Sequence, residues 1–370
     1  MKELTENSID AGATAITVEI QNGGITFIRV TDNGCGMAPE DAETAFLRHA
    51  TSKIASAQDL DSIHTLGFRG EALAAISAVS RIDLLTREPD RTEGISLHLE
   101  SGVVTERSPA GCPAGTTILV RDLFYHTPAR MKFLKRDTAE GAYAFSAVQK
   151  QALAHPEVAF RFLRDGEEVL STPGDGELLS AIYAVLGRQT ALEMVPVENQ
   201  WEGIEVRGFV TKPTASRGSR SYQHFFVNGR YVKSKSLTAA LEDAYKNQIM
   251  VGRFPAGVLQ ITVPAETVDV NVHPTKIEVK FLSERAVFDA VHYGVLAALS
   301  QTPARPEMRL HPMVSPQTAS QSPSVLQRPV ATSVSPRPAA SPRQITMPSY
   351  VERTPVCVAD AVHSPKPTPN

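Results

Sequence analysis

The chain has 370 residues, a formal net charge of −3, and 42% hydrophobic and 21% charged residues. At about 150 residues per domain, this length predicts two domains and some additional chain. The charge excludes a globally basic nucleic-acid-binding protein but permits a local basic groove. The sequence contains no run of about 18 apolar residues, the length that a membrane-spanning helix needs.

The first residues and the cysteines indicate the compartment. Met1–Glu6 lack the apolar core of a signal peptide. Cys35, Cys112 and Cys357 are far apart and odd in number, which supports neither a disulfide framework nor a zinc site. We therefore expect a soluble, cytoplasmic protein with no membrane partner.

Helix and strand patterns alternate over residues 1–195. A helix is predicted at 2–9, and Asn22-Gly23-Gly24 predicts a turn between strands at 15–20 and 25–31. These patterns predict an α/β sandwich, with helices on one face of a mixed sheet. The other predicted elements are helices at 39–46, 71–79 and 138–153 and strands at 82–87, 94–100, 103–107 and 115–121.

The pattern restarts after residue 195, which predicts a second α/β domain at 196–302. Its hairpin signal is Asn228-Gly229. Its predicted elements are strands at 203–211, 222–227, 257–263, 267–272 and 277–281 and helices at 235–247 and 284–299.

Residues 303–370 are predicted to be a disordered, Pro-rich linker. Fourteen of the 26 prolines fall in 301–370, a stretch with no glycine and one aromatic residue, Tyr350. Such a segment cannot bury enough apolar area to offset the entropy of ordering it.

Two sets of polar residues near the start could bind a nucleotide. Glu3 and Asn7 project from one helix face, where a carboxylate can orient a water and an amide oxygen can ligate Mg²⁺. Asp32-Asn33-Gly34-Cys35-Gly36 ends a strand; its Asp can accept a hydrogen bond from an exocyclic amine, and its glycines allow close approach of a base. Taken alone, a solvated helix face and an Asp-capped turn explain them equally well or better.

A glycine-rich segment, TLGFRGEAL at 65–73, could bind phosphate. Glycines before a helix start leave backbone N–H groups free at a positive dipole end. Thr51, Ser52 and Lys53 supply hydroxyls and a cation upstream, and the sequence has no GxxxxGK[ST] motif. A flexible surface loop is the alternative for this segment alone.

Together these motifs resemble the MutL mismatch-repair family of the GHKL ATPase superfamily, which also holds gyrase B, histidine kinases and certain heat-shock chaperones. The resemblance runs from residue 2 to about 300 and implies an α+β protein: a GHKL (Bergerat) ATPase α/β sandwich, a transducer domain with a ribosomal-protein-like βαβ fold, and a disordered tail. The matching stretches are KELTENSIDAGA, DNGCGM, RHATSKI, GFRGEALAAISAVS, GTTILVRDLFYHTPAR, FFVNGR and VDVNVHPTKIEV.

The resemblance implies ATP and Mg²⁺ as cofactors and assigns residue roles. Glu3 is the implied general base, Asn7 the Mg²⁺ ligand, Asp32 the acceptor for the adenine amine, and Lys276 a lysine that reaches the γ-phosphate. The other implied ATP-binding residues are Gly34, Gly36, Thr51, Ser52, Lys53, Gly67, Phe68, Arg69, Gly70, Glu71 and Thr116.

The family's activity is to couple mismatch recognition to downstream repair by binding and hydrolysing ATP. Its implied partners are DNA, bound through the backbone without sequence preference, a MutS-type recognition protein, a downstream nuclease or helicase, and a second copy in a homodimer. Arg230, Lys233 and Lys235 form a basic cluster that could contact DNA phosphates, or a solvated charged turn.

Two departures from the family pattern and two alternatives stay open. The chain begins inside the family's first helix, without the segment that carries an IAAGEV motif, and stops within linker-like sequence; from this we expect a largely monomeric and nearly inactive chain. One alternative is a type II topoisomerase ATPase subunit, although His273-Pro274-Thr275-Lys276 stands where a Gln-Thr-Lys turn is expected. The other is a scaffold that binds partners without ATP turnover.

Overall fold

The computed structural model of the protein describes residues 1–48, 71–269 and 277–301. Three predicted features lie outside the described residues: most of the loop with the phosphate-binding motif, the turn that carries Lys276, and the tail at 303–370. The described residues contain two large β-sheets and the helices that pack on them.

The first sheet has eight strands in the order β5-β4-β3-β6-β2-β1-β7-β8. Neighbouring strands are antiparallel except β1 and β7, which are parallel, so the sheet is mixed, as predicted. Alternate residues such as Ile16, Val18 and Ile20 are buried, because successive side chains of a strand point to opposite faces. The strands are β1 Ala15–Gln21, β2 Phe27–Asp32, β3 Arg81–Arg87, β4 Gly94–Glu100, β5 Val103–Ala110, β6 Gly115–Arg121, β7 Ala159–Arg164 and β8 Glu167–Ser171.

Helices cover one face of this sheet. Leu4 of the first helix and Val148 and Ala152 of the long fifth helix share a hydrophobic core with the sheet. This arrangement confirms the predicted α/β sandwich. The helices of this part are α1 Lys2–Asp10, α2 Pro39–Thr44, α3 Ala72–Ser77, α4 Pro128–Met131, α5 Asp137–Ala154, α6 Leu178–Leu186 and α7 Arg188–Leu192.

The second sheet has five strands in the order β12-β11-β13-β10-β9. Strands β11 and β13 are parallel, and a helix lies between them in the chain, which gives the predicted βαβ connection. Leu237 and Leu241 of that helix pack with Val291 and Val295 of the last helix in a second core. The elements are β9 Met194–Trp201, β10 Ile204–Thr211, β11 Gln223–Val227, β12 Arg230–Val232, α8 Lys235–Ala244, β13 Gly257–Thr262, β14 Val268–Asp269, β15 Lys280–Phe281 and α9 Glu284–Gln301.

A third hydrophobic cluster joins the end of α5 to the second sheet. Leu153 and Ala154 of α5 pack with Phe226 of β11 and Val258 of β13. The Gln260 side chain also donates to the Ala154 carbonyl oxygen at 3.4 Å. Helix α5 therefore contacts both sheets and transmits packing between them.

Candidate nucleotide site

The Asp32 carboxylate is the centre of the site, at the end of β2. Its Oδ1 accepts hydrogen bonds from the backbone N–H groups of Gly34 (3.0 Å) and Thr116 (3.2 Å). Its Oδ2 accepts from the Ser8 hydroxyl at 2.7 Å. Each carboxylate oxygen has two lone pairs, so these donors use both positions of Oδ1, and among the hydrogen bonds of the described residues Oδ2 keeps one acceptor position. That position suits one N–H of an exocyclic amine.

Two threonines extend the site across the sheet. Asp32 of β2 is paired with Thr116 of β6, and Thr116 is paired with Thr86 of β3. Residues directly opposite each other in neighbouring strands lie on the same face, so the three side chains form a row at the edge of the helix-covered face. Thr116 is partly exposed, whereas Thr86 is 0% exposed.

The glycines after Asp32 allow close backbone contacts. A Cβ on Gly34 would lie 2.8 Å from the Ala11 carbonyl oxygen and 2.9 Å from the Ala11 Cβ. Gly36 has φ +67°, and a Cβ there would overlap the Arg87 carbonyl group. Only glycine fits both positions without strain. Cys35 N–H also donates to the Ala11 carbonyl at 2.9 Å, which fixes the turn against the end of α1.

Helix α1 places Glu3 and Asn7 on one face, one turn apart. The Glu3 side chain is 47% exposed and its Oε1 lies 3.6 Å from the Lys2 Nζ. Glu6 is only 2% exposed and accepts from the Gln151 side chain of α5 at 3.2 Å. The helix is therefore held to α5 through Glu6 and to Asp32 through Ser8, which brings Glu3, Asn7 and Asp32 onto one scaffold.

Of the predicted phosphate-binding residues, Glu71 is the N-cap of α3 and is exposed. The following predicted site residues lie outside the described residues: Thr51, Ser52, Lys53, Gly67, Phe68, Arg69, Gly70 and Lys276.

The predicted basic cluster is divided by the structure. Lys233 and Lys235 are exposed, as a phosphate contact requires. Arg230 is 8% exposed. Burial lowers the pKa of the Arg230 guanidinium, and the carboxylates of Glu6, Asp10 and Glu3 on α1 oppose that shift. This environment argues against a DNA contact by Arg230, because its charge faces acidic side chains of the protein itself.

Sequence reasoning assigned no site role to Ser8 or Thr86. Helical spacing places Ser8 on the side of the first helix that carries Leu4, but spacing does not identify Asp32 as its hydrogen-bond partner. Thr86 is the next-to-last residue of a predicted strand and lies on its buried face, where a hydroxyl needs a hydrogen-bond partner.

The described residues contain neither a cluster of metal-ligating side chains nor a helix that could span a membrane. Within 1–48, 71–269 and 277–301 there is no group of three or more His, Cys, Asp or Glu side chains that could hold a metal ion. No helix in the same ranges is long and apolar enough to span a membrane.

Comparisons with known proteins agree with this geometry. Residues 1–110 match the family described as histidine kinase-, DNA gyrase B-, and HSP90-like ATPase. Residues 182–300 match the family described as DNA mismatch repair protein, C-terminal domain. The second match favours a mismatch-repair protein over a topoisomerase subunit.

The DNA mismatch repair protein MutL of Agathobacter rectalis is 45% identical over 308 residues, covering 83% of this chain and 47% of the relative. That of Desulforudis audaxviator is 50% identical over 299 residues, covering 81% of this chain and 53% of the relative. The chain thus spans about half the length of these curated relatives.

A solved structure, the Aquifex aeolicus MutL ATPase domain complexed with ADP, superposes with a TM-score of 0.54 at 30% identity. The match covers 71% of this chain and 90% of that one. The chain therefore belongs to the MutL family of DNA mismatch repair proteins and has the GHKL ATPase fold.

Proposed function

We propose that the protein binds ATP with Mg²⁺ and hydrolyses it, as the ATPase part of a mismatch-repair protein that couples mismatch recognition to downstream repair. The observation that carries this proposal is the Asp32 carboxylate, held by Ser8, Gly34 and Thr116 with one acceptor position left for an amine. The ADP complex of the Aquifex relative supports a nucleotide as the ligand.

The donor set on α1 fits Mg²⁺ bound together with phosphates. Mg²⁺ prefers oxygen ligands and keeps several waters beside the substrate phosphates and a few protein oxygens. The Asn7 amide oxygen would be the protein ligand here. When bound, the ion neutralises charge on the phosphate oxygens. The half-exposed Glu3 carboxylate lies one turn away, where it would accept a proton from the attacking water.

Variants of Glu3 and Asp32 separate binding from hydrolysis. Glu3→Ala should bind Mg-ATP normally and lose hydrolysis. The substitution removes the proposed general base and leaves the adenine-binding residues intact. Asp32→Asn should lose binding, since a hydrogen bond to a charged group contributes about 1.5–3 kcal/mol. Calorimetry with ADP and a phosphate-release assay measure the two effects.

The matched control is Asp165→Asn. The Asp165 carboxylate also accepts a backbone N–H, that of Asn22 at 2.9 Å, but lies at the other end of the β1–β2 pair. This variant should bind ADP like the wild type. Equal ADP affinity in wild type and Asp32→Asn would refute the adenine assignment, and nucleotide binding without any phosphate release would favour the scaffold alternative.

Lys276 is proposed to stabilise charge on the transferred phosphate. Lys276→Ala should slow hydrolysis more than it weakens ATP binding, because the developing charge is largest in the transition state. Single-turnover hydrolysis compared with ATP affinity tests this, and an unchanged turnover number would remove Lys276 from the site.

Lys233 and Lys235 are proposed to contact DNA phosphates. The double substitution Lys233→Glu, Lys235→Glu should weaken binding to DNA of any sequence and reduce the salt dependence of the affinity, because fewer counterions are released. Lys246→Glu, another exposed lysine of the same part of the chain, is the control. Equal salt slopes for wild type and the double variant would exclude this contact.

The remaining proposals follow from the family. They are three regions at 1–195, 196–302 and 303–370, a cytoplasmic location, dimerisation with a second copy, and interaction with a MutS-type protein and a downstream nuclease or helicase. Cross-linking of the protein to a MutS-type partner in the presence of mismatched DNA tests that interaction directly.

A further inference from the structure

We propose that Thr86 is a positioning residue that fixes the Thr116 hydroxyl as a hydrogen-bond acceptor toward the base and so helps the site select a 6-aminopurine. This inference rests on the proposed nucleotide site. Thr86 itself makes no hydrogen bond to the Asp32 carboxylate among the described residues.

Thr86 makes three close polar contacts, and one arrangement of protons makes all three of them hydrogen bonds. Its Oγ1 lies 3.1 Å from the Gly115 carbonyl oxygen, 2.9 Å from the Met37 backbone N and 3.0 Å from the Thr116 Oγ1. Thr86 has one hydroxyl proton, a carbonyl can only accept and an N–H can only donate. All three contacts are therefore hydrogen bonds only when Thr86 gives its proton to Gly115 and accepts from Met37. The Thr116 hydroxyl must then donate to Thr86.

This arrangement sets what Thr116 offers to a ligand. With its proton directed at Thr86, the Thr116 oxygen has only lone pairs to present on its partly exposed side. Thr116 is also paired with Asp32, whose Oδ2 is an acceptor as well. Two neighbouring acceptors favour the 6-amine of adenine and disfavour the 6-carbonyl of hypoxanthine or guanine.

The Thr86 hydroxyl also contacts residues of the segments that form the proposed adenine-binding end of the site around Asp32. Met37 follows the glycine turn, Gly115 and Thr116 begin β6, and Thr86 is the next-to-last residue of β3. Because Thr86 is fully buried, no water can replace its hydroxyl without a rearrangement of these segments.

The test compares ADP with inosine diphosphate, which carries a carbonyl in place of the 6-amine. In Thr86→Val the Thr116 hydroxyl is free to rotate and donate to that carbonyl. The ratio of ADP to inosine diphosphate affinity, measured by calorimetry on the full chain, should fall about tenfold, the effect of one hydrogen bond near the upper end of its range. Thr86→Ser keeps the hydroxyl and should restore the ratio to within about twofold of the wild type.

Thr211→Val is the matched control for stability. Thr211 is also a fully buried strand residue whose hydroxyl donates to a carbonyl and accepts an N–H, both of Ala256 (3.3 and 3.1 Å). It should lower the melting temperature and leave the affinity ratio unchanged. If Thr86 has only a structural role, Thr86→Val should lower the affinities for ADP and inosine diphosphate equally. That result would overturn the inference.

Thr116→Val provides the test if Thr86→Val does not fold. It removes the acceptor and leaves the Met37 and Gly115 contacts of Thr86 in place, so the ratio should fall, and an unchanged ratio overturns the inference. Failure of the wild type to bind ADP would overturn the proposed function and this inference with it. ADP binding with unaltered ratios in the variants would overturn the inference alone.

Discussion

A single hydroxyl connects the helix of Glu3 and Asn7 to the carboxylate that is proposed to recognise the base. The Ser8 Oγ donates to Asp32 and also lies 3.3 Å from the Leu4 carbonyl oxygen. Ser8 thus orients Asp32 without itself facing a nucleotide, and it couples the two ends of the site.

Ser8→Ala should weaken ADP binding by about threefold to tenfold, the effect of one net hydrogen bond of about 1 kcal/mol. Ser77→Ala is the control, because Ser77 is another buried helical serine, whose hydroxyl donates within α3 to the Ala74 carbonyl at 3.0 Å. Calorimetry on both variants measures the difference. Equal ADP affinity in the two variants would show that Asp32 is held in place without Ser8.

Gly36 and Gly12 allow strain and steric overlap to be separated. Their φ angles are +67° and +70°, but a Cβ on Gly36 meets Arg87 whereas nothing lies within 4 Å of a Cβ on Gly12. Gly12→Ala should destabilise the protein by about 1 kcal/mol through φ strain alone. Gly36→Ala should lower the free energy of unfolding by more than Gly12→Ala does and should abolish ADP binding. Urea unfolding and calorimetry measure these two effects. Equal stabilities and ADP affinities of the two variants would argue against a tight contact at Gly36.

The motifs assign Asp32, Gly34 and Thr116 to one nucleotide site, and the structure brings these three residues into contact. Thr86 was missed because its contacts join strands far apart in the chain, and no local pattern records such a partner. The prediction grouped Arg230 with exposed lysines because they are neighbours in sequence. Sequence spacing does not reveal that the acidic side chains of α1 lie close to Arg230 in the fold.

At the level of elements, the predicted strands include β1 to β6 and, later in the chain, β10, β11 and β13, whereas β7, β8, β9, α6 and α7 were not predicted. Strand β7 has the same alternation, with Phe160 and Phe162 buried, but it pairs in parallel with β1, a contact that sequence spacing does not reveal. Helices α6 and α7 are short and separated at Gly187, which has φ +86°. Short elements with a break between them give a weak periodic signal.

Helix α5 provides a test of packing between the sheets. Leu153 is fully buried in the cluster shared with the second sheet, so Leu153→Ala should lower the free energy of unfolding by about 2–5 kcal/mol. Leu179→Ala, on a side chain that is 41% exposed, should change it by less than about 1 kcal/mol. Urea denaturation of both variants measures this, and equal stabilities would mean that the cluster contributes little.

Over the whole molecule, the contact between α5 and the second sheet also holds titratable groups. The Lys150 Nζ lies 4.6 Å from the centre of the Tyr231 ring, and the His224 and Tyr231 ring centres are 6.3 Å apart. Burial, and to a lesser extent the charge of Lys150, lower the pKa of His224 from 6.5 to about 4. The His224 Nδ1 has no hydrogen-bond partner among the described residues, so no hydrogen bond at that atom stabilises a protonated ring.

The lowered pKa of His224 makes folding stability dependent on pH. The unfolded chain takes up a proton near pH 6.5 and the folded chain only near pH 4, so the stability contribution is complete above pH 6.5 and is lost as the pH falls toward 4. Between pH 7.5 and 5 the wild type should lose about 2 kcal/mol through this group. His224→Gln should lose about that much less stability than the wild type between pH 7.5 and 5. His126→Gln, at an exposed position, should lose as much stability as the wild type. Urea denaturation of the three proteins at both pH values measures the difference, and parallel pH profiles for wild type and His224→Gln would show that the ring is protonated without penalty in the folded protein.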